Sequence, residues 1–390
     1  MRPTAARQGS LREHNLGLVL RTVLESSAPP SRADVAAATG LTKATVSALV
    51  DRLVAGGLLA ELEPAPALRA GRPAVPLAAP AGTVAALGAE VNVDYLAVRV
   101  LDLSGAVLDE RLVHGDYRSS DPAAVLTRLA GLVEQAAAAT ADTRLAGTAL
   151  ALPGLVDRGI GPLRLAPNLG WRDVDVVTLL AASSDVLAAH PPVLANEADL
   201  AARAEAAARR DDPTFVYVSG EVGIGAAIVL DGRILAGRHG WAGELGHTLV
   251  ADGRPLEAVA GQDAMLRAAG MDPVAGVDAL AAAADDGDEA ALRAIAAAGE
   301  LLGHALANVV NLLDISDVVL GGSYARLATH LREPVLAALG AHVLAAPWAP
   351  PTVDVARAAS VPALDGAALT VLAGVIDDPS AWLAPEVASP

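Results

Sequence analysis

Lys43 is the only lysine in a chain of 390 residues, and Thr42, Ala44, Thr45, Ser47 and Ala48 surround it. An ammonium group in the first turn of a helix attracts phosphate together with the helix dipole. Small and hydroxylated residues beside it let the backbone come close to base edges and offer them hydrogen bonds. This is the chemistry of a helix lying in the major groove of duplex DNA.

The elements needed to hold such a helix are legible around it. Leu16, Val19, Leu20 and Val23 recur at helical spacing and predict a helix from Leu11 to about Ser26, broken by the two prolines of SAPPS (27–31). Ser31 with Asp34 three residues on is a near-match to a capping box, opening a second helix that runs to Gly40. Thr42 caps a third helix whose Val46, Leu49, Val50 and Leu53 form one apolar stripe before Gly56-Gly57 stops it. Segment 58–77 reads as two short strands around a Pro/Gly loop bearing Arg69 and Arg72, which suits a wing along a phosphate backbone. Ser31, Arg32, Arg69 and Arg72 complete the candidate DNA-contacting set. The alternative is a plain three-helix bundle with a surface hairpin; the groove-reading view requires residues 42–55 to face solvent.

Charge divides the chain the same way. Residues 1–80 hold nine basic and six acidic residues, net +3, whereas the remainder is net −20 within a total of −17. Local fields decide association, so a basic head on an acidic body is compatible with nucleic acid. With 53% hydrophobic residues, a chain of this length supports two or three folding units rather than pervasive disorder. The absence of cysteine excludes disulfides and thiolate metal sites. The N-terminus is polar and basic, and Arg, Asp, Gly or Pro interrupt the Ala- and Leu-rich stretches, so a cytoplasmic protein without membrane contact is expected.

After Pro80 the pattern becomes that of strands. VAALGAEVNV, YLAVRVLDL and AVLDERLVH predict a β-meander, followed by a helix starting at Asp121-Pro122 and a strand near 144–152 ending in Pro153-Gly154. The order repeats with FVYVSG and GIGAAIVLDGRIL, a hairpin turning at Asp231-Gly232, then Ala-rich helices and the strand VVL before Gly321-Gly322. Two such α/β halves leave a cleft between them for a ligand. Residues 271–300, rich in Ala and Asp, read as solvated helices.

SRADVAAATGLTKATVSALVDRLVAGGLL followed by GRP resembles the DNA-binding head of the ROK family (repressors, open reading frames, kinases). The body resembles the same family through ALPGLVD (151–157), APNLGW (166–171), LANEADLAARAE (194–205), EVGIGAAIVLDGRILAGRHGWAGELGH (221–247) and DISDVVLGGS (314–323). The resemblance implies a winged helix-turn-helix (all-α with a small β wing) over residues 1–80. It further implies a two-lobed α/β actin-like, ribonuclease H-like sugar-kinase fold over 84–390, lobe I spanning about 84–205 plus the C-terminal helix and lobe II about 206–360. It carries Asn168, Asn196, Glu244, His247 and Glu257 onto positions that contact sugar hydroxyls, with Gly154 and Glu197 in the same set. For Glu244 and His247 the alternative is a capped, solvated loop.

The parts that would make such a protein a kinase are altered. Where family kinases have Asp-x-Gly-Gly-Thr, this chain reads Glu90-Val91-Asn92-Val93-Asp94; both glycines and the threonine are missing, and Asp94 would oppose a nucleotide's phosphates. Val222 stands where the kinases have a hydroxyl residue before Gly223-Ile224-Gly225. The family's catalytic Asp is Glu197 here, which misplaces a base by about one ångström and costs roughly 100-fold in rate. The family's Cys-rich loop is absent after His247, so no zinc site, no other metal and no cofactor are expected.

The reading expected from all this is a non-enzymatic, homodimeric repressor of sugar-metabolism genes, bound to inverted-repeat operator DNA and controlled by a sugar or sugar derivative. The alternatives are an ATP-dependent sugar kinase with an accessory DNA-binding head, and a dimeric repressor that takes no small ligand.

Overall fold

A computed structural model describes residues 8–63, 75–157, 161–209, 211, 213–221, 223–358 and 361–383. Helices α1 (Gln8–Glu25), α2 (Arg32–Thr39) and α3 (Lys43–Ala55) form the head, with strands β1 (Ala60–Glu61) and β2 (Leu77–Ala78). The caps account for the boundaries. The Ser31 hydroxyl and the Asp34 carboxylate satisfy each other's backbone N–H groups in a complete capping box, and α2 ends at Gly40 with φ 71°. Thr42 accepts from the N–H of Thr45 to start α3, whose buried face is Val46, Leu49, Val50 and Leu53. Strands β1 and β2 pair antiparallel, Ala60 opposite Ala78.

The first half of the body contains β3 (Val84–Val91), β4 (Tyr95–Asp102), β5 (Val107–His114), α4 (Pro122–Ala139) and β6 (Arg144–Leu152). A small three-stranded sheet follows, β7 (Leu155–Val156), β8 (Leu163–Ala166) and β9 (Trp171–Val174), then α5 (Val176–Ala181), α6 (Asp185–Ala189), β10 (Val193–Asn196) and α7 (Glu197–Ala208). The main sheet has the order β10-β6-β3-β4-β5. Its β3-β4-β5 part is the expected antiparallel meander, and β6 and β10 add in parallel.

The second half has β11 (Phe215–Gly220), β12 (Ile224–Leu230), β13 (Arg233–Ile234), α8 (Glu257–Ala260), α9 (Gln262–Ala268), α10 (Gly276–Asp285) and α11 (Glu289–Leu313). It continues through β14 (Asp317–Gly321), α12 (Gly322–Arg326), α13 (Ala328–His342) and β15 (Thr352–Val355), in a sheet ordered β13-β12-β11-β14-β15. The β12–β13 turn places Asp231 and Gly232 both at positive φ, 50° and 73°, as a tight two-residue hairpin requires. The stretch 271–300 departs from the solvated reading: within it Leu280, Ala281, Ala284, Ala291, Ile295 and Ala298 are core residues, because the alanines line the faces that α10 and α11 turn inward. Helix α11 is also long and apolar enough to cross a membrane by length and composition, although Arg293, Gly299 and Gly303 interrupt it as expected. Its inner stripe of Ile295, Leu302 and Leu306 is buried in the protein's own core beside Leu331 and Val335 of α13.

Helix α14 (Pro362–Asp377) ties these parts together. It lies against β3, β4 and β6, and meets α7 so closely that a Cβ on Gly366 would stand 1.8 Å from the Leu200 carbonyl oxygen. Its other end carries the head. Leu372 and Val375 share one apolar core with Leu16, Leu20, Leu53 and Leu77, a Cβ on Gly17 would lie 2.8 Å from the Ile376 carbonyl oxygen, and Arg21 pairs with Asp377.

Candidate functional site

The cleft between the two sheets is shaped first by glycines that permit close backbone contact. Gly154 has φ 90°, and a Cβ there would fall 2.0 Å from the Leu165 carbonyl oxygen, so β7 approaches β8 only without a side chain. Gly243 (φ 100°) and Gly246 would collide with the carbonyls of Ala226 and Ile224, and thus the turn bearing Glu244 and His247 lies flat on β12.

Gly154, Asn168, Asn196, Glu197, Glu244, His247 and Glu257 all line this one cleft. Their roles differ. Asn196 caps α7 by accepting from the Ala198 N–H at 2.7 Å and donates to the Gly154 carbonyl at 2.9 Å, which leaves its amide one donor and one lone pair for a ligand. Gly154 therefore contributes backbone, not a side chain. His247 stands between two carboxylates, its Nδ1 3.7 Å from Glu257 Oε1 and its Nε2 4.0 Å from Glu244 Oε2. Burial pushes the Glu244 carboxyl above its ordinary range, opposed by His247 and reinforced by Glu257. Asn92 and Glu221, at the ends of β3 and β11, also line the cleft. Sequence reasoning missed both as ligand-facing residues; Glu221 was signalled only by its place at a strand end just before Gly223-Ile224-Gly225.

The turn in place of the first phosphate loop is built differently from the expectation. Asp94 is not among the residues lining the cleft and pairs with Arg118 at 2.9 Å, although its charge still raises the proton affinity of Glu221. The carboxylate that points inward is Glu90, 2% exposed, which accepts from the Tyr95 hydroxyl at 2.7 Å. Burial pushes the Glu90 carboxyl up to about 7, partly offset by Tyr95, Asn92 and Arg99. Glu197 is pushed up to about 8 by burial and then by Glu90 and Glu221, so at neutral pH it holds its proton and is a poor base. Val222 lies outside the described residues.

Among the described lining residues are four carboxylates, Glu197, Glu221, Glu244 and Glu257, and neither Lys nor Arg. Such a wall suits a neutral polyol, since one carboxylate accepts from two adjacent hydroxyls, and it repels phosphorylated or acidic sugars.

On the head, Thr42, Lys43, Ala44 and Ala48 are exposed and Thr45 and Ser47 half-buried, so α3 is presented to solvent along the expected face. The Thr42 and Thr45 hydroxyls bond to each other at 2.8 Å. Two other candidates have different work. The Ser31 side chain is consumed by the capping box. Arg32 is held by Asp51 at 2.7 Å, by Glu61 at 2.9 Å and by the Ser47 carbonyl at 3.1 Å, so its guanidinium fastens α2 to α3 and β1 instead of standing free for phosphate. Arg69 and Arg72 lie outside the described residues.

A protein-family model described as the ROK family matches residues 86–373. A xylose repressor of Caldicellulosiruptor bescii is 28% identical over 244 residues, covering 62% of this chain and 59% of the repressor, so the match spans about three fifths of that relative. A crystal structure of a ROK family transcriptional regulator, homolog of the E. coli MLC protein, superposes with TM-score 0.77 at 26% identity over 95% of this chain and 98% of that one. A ROK hexokinase from Thermus thermophilus superposes with TM-score 0.60 at 28% identity over 75% and 99%. The body thus has the actin-like sugar-kinase fold.

Proposed function

The chain belongs to the ROK family, and from that premise we propose that it is a sugar-responsive transcriptional repressor without kinase activity. Residues 1–80 act as a winged helix-turn-helix and 84–390 as the sensing and dimerising body, in the cytoplasm. The observation that carries this reading is the solvent-facing side of α3, where Lys43 has no ion-pair partner among the described residues. In this assignment Lys43 meets phosphate, Ala44, Ser47 and Ala48 meet base edges, and Thr42 and Thr45 fix the first turn. Homodimerisation brings two heads to half-sites of an inverted repeat about one helical turn apart.

The effector is an unphosphorylated sugar or sugar derivative received by Asn168, Asn196, Glu197, Glu244, His247 and Glu257. The likeness to a xylose repressor makes a pentose the first candidate. A ligand that closes the cleft moves α7, which starts at Asn196 and Glu197; α7 leans on α14 at Gly366, and α14 carries α1. Coupling follows if the sugar binds one arrangement more tightly than the other.

The test is fluorescence anisotropy of the full chain on promoter fragments, with a panel of pentoses and hexoses. The expected result is a preference for one promoter of about 10³-fold or more over bulk DNA, a steep fall of affinity with salt, and a change of about fivefold or more on adding one sugar. Equal affinity for every fragment would refute the repressor. The hexokinase likeness keeps a second reading in view, phosphoryl transfer to a sugar. ADP release at about one turnover per second or faster would establish it.

A further inference from the structure

Behind the sugar-facing cleft is a second cavity of about 240 Å³ that shares Asn92, Glu197 and Glu221 with it and ends at Glu90. That volume falls below the roughly 300–1,000 Å³ of pockets for drug-sized ligands, so the occupant is small or slender. Its charge is one-sided. Glu90 enters from the end of β3, Glu197 from the first residue of α7 and Glu221 from the segment after β11, and no Lys or Arg is among the described lining residues. The nearby Arg99 is turned away, paired with Glu110 and Asp365.

One atom points directly to a missing donor. Glu90 is 2% exposed, and while its Oε1 accepts from Tyr95, its Oε2 is buried with no hydrogen-bond partner among the described residues. A buried carboxylate oxygen without a donor is costly, and a cationic donor relieves it. We propose that this cavity binds a slender organic polyammonium ion, a di- or polyamine, with its ammonium groups on Glu90, Glu197 and Glu221 and its methylenes on the alanine wall.

The lining separates this class from the alternatives. Ala198, Ala201, Ala325 and Ala363 give apolar surface for a hydrocarbon chain. Among the described residues, no group of three or more His, Asp or Glu side chains is arranged to hold a metal ion, so the carboxylates call for separate positive charges and not one shared centre. A phosphate-bearing ligand meets a lining of carboxyl groups with no Lys or Arg among the described residues to balance its charge. Glu90 raises the proton affinity of both Glu197 and Glu221, and Glu221 raises that of Glu197, which places the three within electrostatic reach of one another. Because Glu90 and Glu221 come from different sheets, the bound amine bridges the two halves.

Titration calorimetry of the full chain with spermidine, run beside MgCl2 and NaCl at matched ionic strength, tests the assignment. The expected result is saturable binding of one spermidine per chain that the salts do not reproduce, weakened about tenfold or more by Glu90→Gln and likewise by Glu221→Gln. Glu221 stands at the mouth of the cavity, so its variant decides the matter if Glu90→Gln fails to fold. Absence of saturable binding, an equal response to Mg²⁺, or unchanged affinity in the folded variants, which would mean diffuse attraction to an acidic surface, each overturns the proposal.

Discussion

Replacing Gly366 by alanine is the most direct probe of how the body is put together. A Cβ at this position would stand 1.8 Å from the carbonyl oxygen of Leu200 and 2.5 Å from its carbon, and both belong to backbone. To reach ordinary contact near 3.4 Å, α14 and α7 must part by roughly 1.6 Å, with no side-chain rotamer available to absorb the movement. Overpacking of this kind costs about 1–3 kcal/mol, and a clash between two main chains belongs at the upper end, about 3 kcal/mol. Leu200 is in the first turn of the helix that begins at Glu197, so the displacement also reaches the cleft. Urea unfolding should show the midpoint falling at unchanged slope, and operator binding should lose its dependence on sugar. Gly374 on the same helix is the control: a Cβ there meets nothing within 4 Å, and Gly374→Ala should be neutral or stabilising by up to about 1 kcal/mol. A Gly366→Ala protein within about 0.5 kcal/mol of the parent would refute the close helix contact and the route built on it.

Three further outcomes are expected. Lys43→Ala weakens binding to all duplex DNA and lowers the salt slope by about 1, whereas Ser47→Ala changes base preference more than slope; identical losses in anisotropy titrations would mean that α3 is not the reading element. Glu244→Ala abolishes the sugar response while leaving operator affinity in place, and a surviving response in the same assay would remove Glu244 from the pocket. The third concerns pH. The folded-state value of Glu90, about 7, lies above its ordinary 4.5, so the folded protein binds this proton more tightly than the unfolded chain; the stability contribution is complete below about 4.5 and is lost as pH rises through 7. Glu90→Gln removes that loss and should gain up to about 3 kcal/mol over the parent at pH 8, with little difference at pH 4.5, by urea unfolding at the two values. A parent that grows more stable than the variant as pH rises would contradict the buried carboxyl.

What could be read along the chain was mostly local. The Ser31/Asp34 capping box, the left-handed Gly40, the Thr42 cap and the Asp231-Gly232 hairpin each involve residues a few positions apart, and the elements begin and end where those residues require. Motif resemblance reached further and brought seven cleft residues to one wall. The misreadings were of long-range contacts. Arg32 looked like a free cation because Glu61 is 29 residues away, and Asp94 looked like a phosphate repellent because Arg118 is far along the sequence. The helices within 271–300 seemed solvated because alanine carries little hydrophobic weight, although a face of alanines is what allows α10 and α11 to lie close to their neighbours.

The apolar core shared by the head and the end of α14 has a consequence in time. A ribosome adds about 5–20 residues per second, so some 300 residues, roughly 15–60 s of synthesis, separate the emergence of Leu77 from that of Leu372 and Val375. The head is made well before the α14 residues that complete its core. A nascent chain that has exposed α3 still lacks the surface that seats it, so under the proposed function an unfinished polypeptide would have no fully assembled tip with which to occupy a promoter.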